Sequence, residues 1–247
     1  MERSKQGEQS IIHLNQLFDS LIAGLETDII TTVYGPSGSG KSTLCLLSAV
    51  QMAISKKVIY VDTEGGFSVE RIKQLAPNFK QILDNIIVLK PTNFIEQRKA
   101  IQLVPSIIAE SCNSEGMCSV RLIIVDTISM LYRLELGTQE EIYEVNKSLG
   151  RQIGLLSEIA RKNNIPILMT NQVYADFENP GNVHMVGGDL LKYGSKCLLE
   201  LRRAKNGLRS AVIRKHRSMP EGKELLFRIV QEGIELQEIG KDKLHSE

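Results

Sequence analysis

The sequence predicts an α/β protein whose mostly parallel, twisted sheet is flanked by helices and extended at its C-terminal end by antiparallel strands. Short apolar runs alternate with segments long enough for a helix, at Ile29 to Tyr34, Val58 to Asp62, Ile86 to Leu89, Val120 to Asp126 and Ile165 to Thr170. This alternation is typical of a parallel sheet covered on both faces. Four closely spaced strand-like runs follow, at Lys196 to Arg203, Ser210 to Lys215, Leu225 to Val230 and Ile234 to Gln237. Short turns join them, which indicates hairpins.

The clearest predicted helix runs from about Glu140 to Lys162. Its apolar residues recur three or four positions apart and form one stripe, made of Ile142, Val145, Leu149, Ile153, Leu156 and Ala160. Pro166 opens the following strand and requires the helix to stop before it. We interpret this helix as a packing element.

Length and composition indicate an ordinary globular protein. The 247 residues suit one domain over residues 1–247, with a helical lead-in over 1–16 and a frayed tail over 238–247. A formal charge of +1 with 24% charged residues excludes a chain adapted throughout to a polyanion, so any nucleic-acid affinity must be local. The four cysteines form no C-x-x-C pair, which predicts reduced thiols and no zinc site. Since no run approaches the roughly 18 apolar residues of a membrane span, we expect a cytoplasmic protein.

One segment matches every position of the phosphate-binding pattern G-x-x-x-x-G-K-[ST]. Its residues are Gly35, Pro36, Ser37, Gly38, Ser39, Gly40, Lys41, Ser42 and Thr43. The segment lies between the run ending at Tyr34 and a helical run from Leu44 to Ile54, which is the context that this pattern requires. Glycines let backbone N–H groups wrap phosphates, Lys41 reaches the β and γ oxygens, and Ser42 is a ligand for Mg²⁺. The sequence therefore predicts a site for a nucleoside triphosphate with Mg²⁺.

Polar residues follow three of the predicted strands. Asp126 ends the most apolar run and is the candidate carboxylate of the metal shell. Glu64 lies just beyond the Val58 to Asp62 run and is the candidate for orienting the attacking water, with Asp62 as the competing carboxylate. Gln172 follows the fifth run and is a candidate sensor of the γ-phosphate. Because carboxyl ends of parallel strands meet at one edge of a sheet, we expect these side chains to lie together.

These motifs together resemble the ATPase core of the RecA and RadA recombinase superfamily. The matching segments are Phe18 to Glu26, the phosphate loop, Tyr60 to Phe67 with its D-T-E-G, Leu122 to Asp126, Thr170 to Val173 with its T-N-Q-V, and Gly187 to Asp189. The resemblance covers roughly Leu17 to Ile234 and implies a RecA-like fold. It implies ATP as the nucleotide and assigns catalytic roles to Lys41, Glu64 and Gln172. It also implies that Arg71 lies near the adenine.

The chain departs from the full recombinase pattern in ways that suggest an accessory role. Only 34 residues precede the phosphate loop, and no F-x-x-A segment lies among them, so we expect neither a leading DNA-binding domain nor ready filament formation. The first DNA loop, Leu134 to Glu144, carries Glu135, Glu140, Glu141 and Glu144 and no lysine or arginine. The second, Tyr174 to Val186, also lacks lysine and arginine, although Tyr174 and Phe177 are placed to stack a base.

Positive charge is concentrated near the C-terminus instead. Between Leu201 and Arg217 no acidic residue occurs, and the charged or titratable positions, here called the basic stripe, are Arg202, Arg203, Lys205, Arg209, Arg214, Lys215, His216 and Arg217. Such a stripe predicts salt-dependent contact with DNA phosphates of any sequence. Two alternatives remain open. Lys215 to Ser218 resembles a K-x-R-x-S segment that KaiC-type relatives direct at a neighbour's γ-phosphate, and the stripe is also typical of a solvated edge strand. We further predict that replacing Lys215 and Arg217 leaves the fold intact.

The leading interpretation is an ATP-binding recombination and repair accessory protein with weak ATPase activity. It would contact DNA through the basic stripe and assist or regulate a RadA-type recombinase, with homo-oligomers as a further expectation. The alternatives are a KaiC-like ring-forming ATPase that acts on a protein partner, and an interaction module that uses ATP as a structural ligand.

Overall fold

The computed structural model describes residues 11–175 and 183–237. Its strands are β1 (Ile11–Ile12), β2 (Leu25–Glu26), β3 (Ile30–Tyr34), β4 (Lys57–Asp62), β5 (Ile86–Leu89), β6 (Val120–Asp126), β7 (Ile167–Asn171), β8 (Val173–Ala175), β9 (Val183–Met185), β10 (Cys197–Arg203), β11 (Arg209–Lys215), β12 (Glu224–Val230) and β13 (Gly233–Gln237). Its helices are α1 (Gln16–Ile22), α2 (Lys41–Ala53), α3 (Val69–Leu75), α4 (Phe79–Asp84), α5 (Phe94–Glu110), α6 (Met130–Leu134), α7 (Gln139–Asn163) and α8 (Gly188–Gly194).

A nine-stranded sheet in the order β13-β12-β11-β10-β3-β7-β6-β4-β5 organises the chain. The strands from β10 to β5 in that order pair in parallel, and β11, β12 and β13 continue the sheet by antiparallel pairing. The predicted fold class is therefore confirmed, including its C-terminal extension. Strand β3, which leads into the phosphate loop, lies between β7 and β10, so the loop emerges from the interior of the sheet.

Two apolar cores cover the two faces of the sheet. Strand residues alternate between them: Tyr60 and Ile124 pack in one core with α1 and α2, whereas Ile59 and Ile123 pack in the other with α5 and α7. Strand β6 is buried along nearly its whole length because helices cover both of its faces.

The predicted long helix is confirmed as α7. Its C-terminal apolar stripe, from Leu149 to Ala160, is buried in the second core, while Val145 is partly buried there. Beyond the helix, Asn164 takes a left-handed conformation with φ of 52°, which ends the helix two residues before Pro166.

The structure differs from the expectations at the N-terminal lead-in and at the cysteines. In the predicted helical lead-in, Ile11–Ile12 instead forms strand β1, because these β-branched residues pair with Leu25–Glu26. Residues 1–10 of that lead-in and the predicted tail over 238–247 lie outside the described residues. The expectation of four reduced cysteines is wrong, since a tight turn brings Cys112 and Cys118 together in a disulfide while Cys45 and Cys197 are free and buried. In the described parts of the chain, no helix is long and apolar enough to cross a membrane.

Candidate functional site

The phosphate loop lies between the end of β3 and the start of α2. Gly35 lies so close to β10 that a Cβ atom there would be 2.3 Å from the carbonyl oxygen of Leu201, so no larger residue fits. Gly38 and Gly40 have φ angles of 74° and 105°, which L side chains rarely adopt. These glycines let the backbone turn tightly into the helix.

The N-terminus of α2 faces a cavity of about 600 Å³. No side chain caps this end of the helix, so its first N–H groups are available to an anion. The cavity is lined by Gly35, Ser37, Gly38, Gly40, Lys41, Ser42, Thr43, Glu64, Arg133, Gln172, Val173, Arg209 and Ile229. Backbone donors, an ammonium and hydroxyls thus converge on one space, which fits the triphosphate that the loop predicts.

Lys41 is folded back onto its own loop. Its Nζ donates to the carbonyl oxygens of Gly35 at 2.8 Å and of Pro36 at 3.0 Å. Burial lowers the pKa of Lys41, and the negative charges of Glu64 and Asp126 oppose that shift. A phosphate oxygen is a stronger acceptor for this ammonium than a neutral carbonyl.

Asp126 is buried at the end of β6, and both of its carboxylate oxygens accept hydrogen bonds. The Thr170 hydroxyl donates to Oδ1 at 2.5 Å, and the Tyr60 hydroxyl donates to Oδ2 at 2.9 Å. The donors come from β7 and β4, the two strands that flank β6. Asp126 is not among the residues that line the cavity, so its role in the metal shell remains a prediction. Within residues 11–175 and 183–237, no cluster of three acidic, His or Cys side chains forms a metal cage of its own.

Glu64 and Gln172 meet at the lip of the cavity, where Gln172 Nε2 donates to Glu64 Oε1 at 2.6 Å. The competing carboxylate, Asp62, accepts the backbone N–H groups of Gly66 and Phe67 at 2.9 and 3.1 Å and so closes the turn after β4. The geometry therefore favours Glu64 over Asp62 for orienting water. The sheet brings the two predicted residues together although they are 108 positions apart in the chain.

Arg71 does not line the cavity but supports one of its walls. From α3, its guanidinium donates to the carbonyl oxygens of Val230 and Gln231, each at 2.8 Å. These bonds hold the turn between β12 and β13, and Ile229 just before it packs over Gly40. The contact with adenine remains a prediction.

A second cavity of about 840 Å³ adjoins the first and shares Arg133 with it. Its lining is largely apolar and aromatic, and it includes Tyr132, Tyr174 and Tyr193. Tyr174 stacks on His184 with ring centroids 5.4 Å apart, so one predicted stacking residue has an aromatic partner within the chain. The other, Phe177, lies outside the described residues, as do the side chains of Glu140 and Glu141.

The structure divides the basic stripe into paired and exposed cations. Arg202 and Arg214 each bind the buried carboxylate of Glu200, at 2.8 and 2.6 Å. Although burial opposes it, these hydrogen bonds and charges lower the pKa of Glu200. Lys215 donates to the carbonyl oxygens of Lys192 and Ser195 at the end of α8, at 2.6 and 2.8 Å.

The remaining members of the stripe have separate positions. Arg217 forms ion pairs with Glu26 and Asp28 near the start of β3. His216 is half-buried, and burial lowers its pKa. Arg203 and Lys205 are exposed at the tip of the β10–β11 hairpin, whereas Arg209 lines the phosphate-loop cavity. The eight positions of the basic stripe therefore do not form one free surface.

The Arg217 contacts indicate that removing this side chain destabilises the fold, contrary to the expectation from the sequence. Arg217→Ala leaves the Glu26 carboxylate, only 4% exposed, without its cationic partner. We expect the free energy of unfolding to fall by about 1–3 kcal/mol, the cost of leaving a buried polar group unpaired. Urea denaturation measures this loss, with Lys205→Ala as the exposed control of the same stripe. Equal midpoints for the two variants would contradict the assigned pairing.

The parallel core with its phosphate loop between β3 and α2, and with Asp126, Glu64 and Gln172 at the strand ends, has the architecture of a RecA-like ATPase. The sequence profile of the Rad51 family matches residues 9–237, and the chain belongs to that family.

Within the family, the chain is similar to archaeal proteins named DNA repair and recombination protein RadB. It is 39% identical over 229 residues to that of Methanobrevibacter smithii, covering 90% of this chain and 94% of the relative. It is 40% identical to those of Methanocaldococcus jannaschii and Methanococcus maripaludis strain C7, covering 89% of this chain and 99% and 98% of the relatives. The resemblance to the RecA and RadA superfamily is thereby confirmed.

Proposed function

We propose that this chain binds ATP with Mg²⁺, hydrolyses it slowly, and acts in the cytoplasm as a single-domain accessory protein of DNA recombination and repair. The observation that carries the proposal is the Glu64–Gln172 hydrogen bond at the lip of the phosphate-loop cavity. This bond joins the carboxylate that we propose for orienting water to the amide that we propose as the sensor of the γ-phosphate. Membership of the Rad51 family and the names of the RadB relatives support recombination over a KaiC-like ring as the setting.

In this proposal each group of residues has a separate role. The N–H groups from Gly38 to Thr43 and the Lys41 ammonium hold the phosphates. Ser42 would be the protein ligand of Mg²⁺, and Asp126, already fixed by two hydroxyls, would help to hold the metal. When bound, Mg²⁺ supplies charge neutralisation for phosphoryl transfer. Glu64 orients the attacking water, and Gln172 holds Glu64 until a phosphate competes for its amide.

Glu64→Gln tests this assignment. Because the substitution removes the acceptor for the water proton but keeps the shape, we expect kcat for ATP hydrolysis to fall by roughly 100-fold or more. The affinity for ATP should change by less than about threefold, since the phosphate loop is untouched. The experiment combines a phosphate-release assay with an ATP titration, and Glu70→Gln on the exposed start of α3 is the control. Unchanged turnover in Glu64→Gln would remove Glu64 from the mechanism.

DNA contact is proposed for the exposed part of the basic stripe, in an assembly with a RadA-type recombinase. Arg203 and Lys205 are exposed and carry the proposal, because the neighbouring Arg202 and Arg214 both pair with the Glu200 carboxylate. Such contacts would not depend on base sequence.

A salt titration of single-stranded DNA binding tests the stripe. Each phosphate contact contributes about 0.7 to the slope of log affinity against log salt for single strands, so Arg203→Ala with Lys205→Ala should reduce the slope by about 1.4. Lys56→Ala with Lys80→Ala removes the same charge from exposed positions elsewhere and is the control. The stripe is rejected as a DNA site if both double variants keep the slope of the unmodified protein.

A further inference from the structure

Arg209 departs from the rest of the basic stripe because its side chain lies in the phosphate-loop cavity. Its Nε donates to the carbonyl oxygen of Gly38 at 3.2 Å, and its Nη1 donates to that of Gly207 at 3.2 Å. Its stem packs over Gly40, where a Cβ atom would lie 3.6 Å from Arg209 Cδ. The guanidinium is therefore held against the middle of the phosphate loop.

The hairpin of β10 and β11 explains this placement. Strand β10 runs parallel to β3 and carries the chain past Gly35, beside the carbonyl of Leu201. The chain then reverses through Lys205–Gly207, and Arg209 is the first residue of the returning strand β11. The sheet's antiparallel extension thus delivers a cation from its own hairpin to the phosphate loop of the same chain.

We propose that Arg209 is a phosphate-binding residue of its own subunit's nucleotide site, rather than a contact for DNA or for a neighbour's nucleotide. This inference rests on the proposed ATP binding. The bonds to Gly38 and Gly207 use only part of the five N–H donors of a guanidinium. The middle of the loop is where backbone N–H groups cradle the α- and β-phosphates, and a planar guanidinium matches two phosphate oxygens. An entering phosphate offers Arg209 a charged acceptor in place of the neutral Gly38 carbonyl.

The test compares nucleotide affinities of Arg209→Ala and Arg228→Ala by titration with fluorescent ATP and ADP. Arg228 is the control because it lies on β12, the strand next to β11, carries the same charge and is exposed. We expect Arg209→Ala to lose about tenfold or more for both nucleotides, as for a hydrogen bond to a charged group, and Arg228→Ala to stay within about twofold. Arg209→Lys should recover part of the loss, and Arg209→Gln carries the comparison if the alanine variant fails to fold.

Two further arms separate the possible roles of Arg209. Mixing Lys41→Ala subunits with Arg209→Ala subunits should not restore nucleotide binding. If Arg209 acts within its own subunit, each subunit in the mixture lacks one residue of its own nucleotide site. Restored tight binding would show that Arg209 acts across subunits and would overturn the inference. So would wild-type ATP affinity in Arg209→Ala, or a loss of DNA affinity without nucleotide. Failure of the unmodified chain to bind ATP would instead contradict the proposed function itself.

Discussion

Replacing Lys41 with alanine is expected to weaken ATP binding by roughly 100-fold or more. The ammonium now satisfies the Gly35 and Pro36 carbonyls at 2.8 and 3.0 Å, so it is positioned at the mouth of the loop for a phosphate. Two charge-assisted hydrogen bonds at about 1.5–3 kcal/mol each correspond to that loss, at 1.4 kcal/mol per factor of ten.

Isothermal titration with ATP and Mg²⁺ measures the Lys41 effect, and the ATP-dependent rise in Tm should vanish with it. The control is Lys56→Ala, which removes an exposed lysine after the far end of the same helix α2. If Lys41→Ala bound ATP as tightly as Lys56→Ala, the cavity at α2 would not be the nucleotide site.

Replacing Asp126 is expected to have the largest combined effect on the free energy of unfolding and on the Mg²⁺ requirement of ATP hydrolysis. Asp126→Ala removes the acceptor of the buried Tyr60 and Thr170 hydroxyls, which should lower the free energy of unfolding by about 3 kcal/mol or more. Asp126→Asn keeps the shape of the side chain but lacks its charge. It should fold and yet need a much higher Mg²⁺ concentration for ATP hydrolysis.

Urea denaturation measures the stability of the two Asp126 variants, and an Mg²⁺ titration of phosphate release measures the metal requirement. Asp84→Asn, at the exposed end of α4, is the control for loss of a negative charge. A wild-type Mg²⁺ requirement in Asp126→Asn would show that this carboxylate supports the sheet and not the metal.

The part of the site that follows from local sequence was predictable. The strand, the glycine-rich turn and the helix start are contiguous from Ile30 to Ala53, so their pattern alone predicts the phosphate loop. The meeting of Glu64 and Gln172 also followed, because the carboxyl ends of parallel strands share one edge of the sheet.

Contacts set by sheet register were not predictable in the same way. The Asp126 partners, Tyr60 and Thr170, are 66 and 44 residues away, and only the order β4-β6-β7 brings them to one carboxylate. Their signal in the sequence is that each is a hydroxyl-bearing residue in the C-terminal half of a largely apolar strand.

The basic stripe shows the limit of counting charges along a chain. Glu200 lies two positions before the first residue of the stripe and pairs with two of its arginines, and Glu26 reaches Arg217 from a distant segment. Arg209 has the same charge as its neighbours, yet a hairpin turns it into the phosphate-loop cavity. Linear charge predicted an electropositive segment but not which cations remain exposed.

In the proposed site, the triphosphate binds at the N-terminus of α2 between Lys41 and the Glu64–Gln172 pair. A crystal structure of the chain with a non-hydrolysable ATP analogue and Mg²⁺ tests it most directly. We expect the β- and γ-phosphates against Lys41 and the loop amides, the metal on Ser42, and the Gln172 amide turned toward the γ-phosphate. An analogue bound elsewhere, or bound with Lys41 still on the Gly35 and Pro36 carbonyls, would contradict this binding mode.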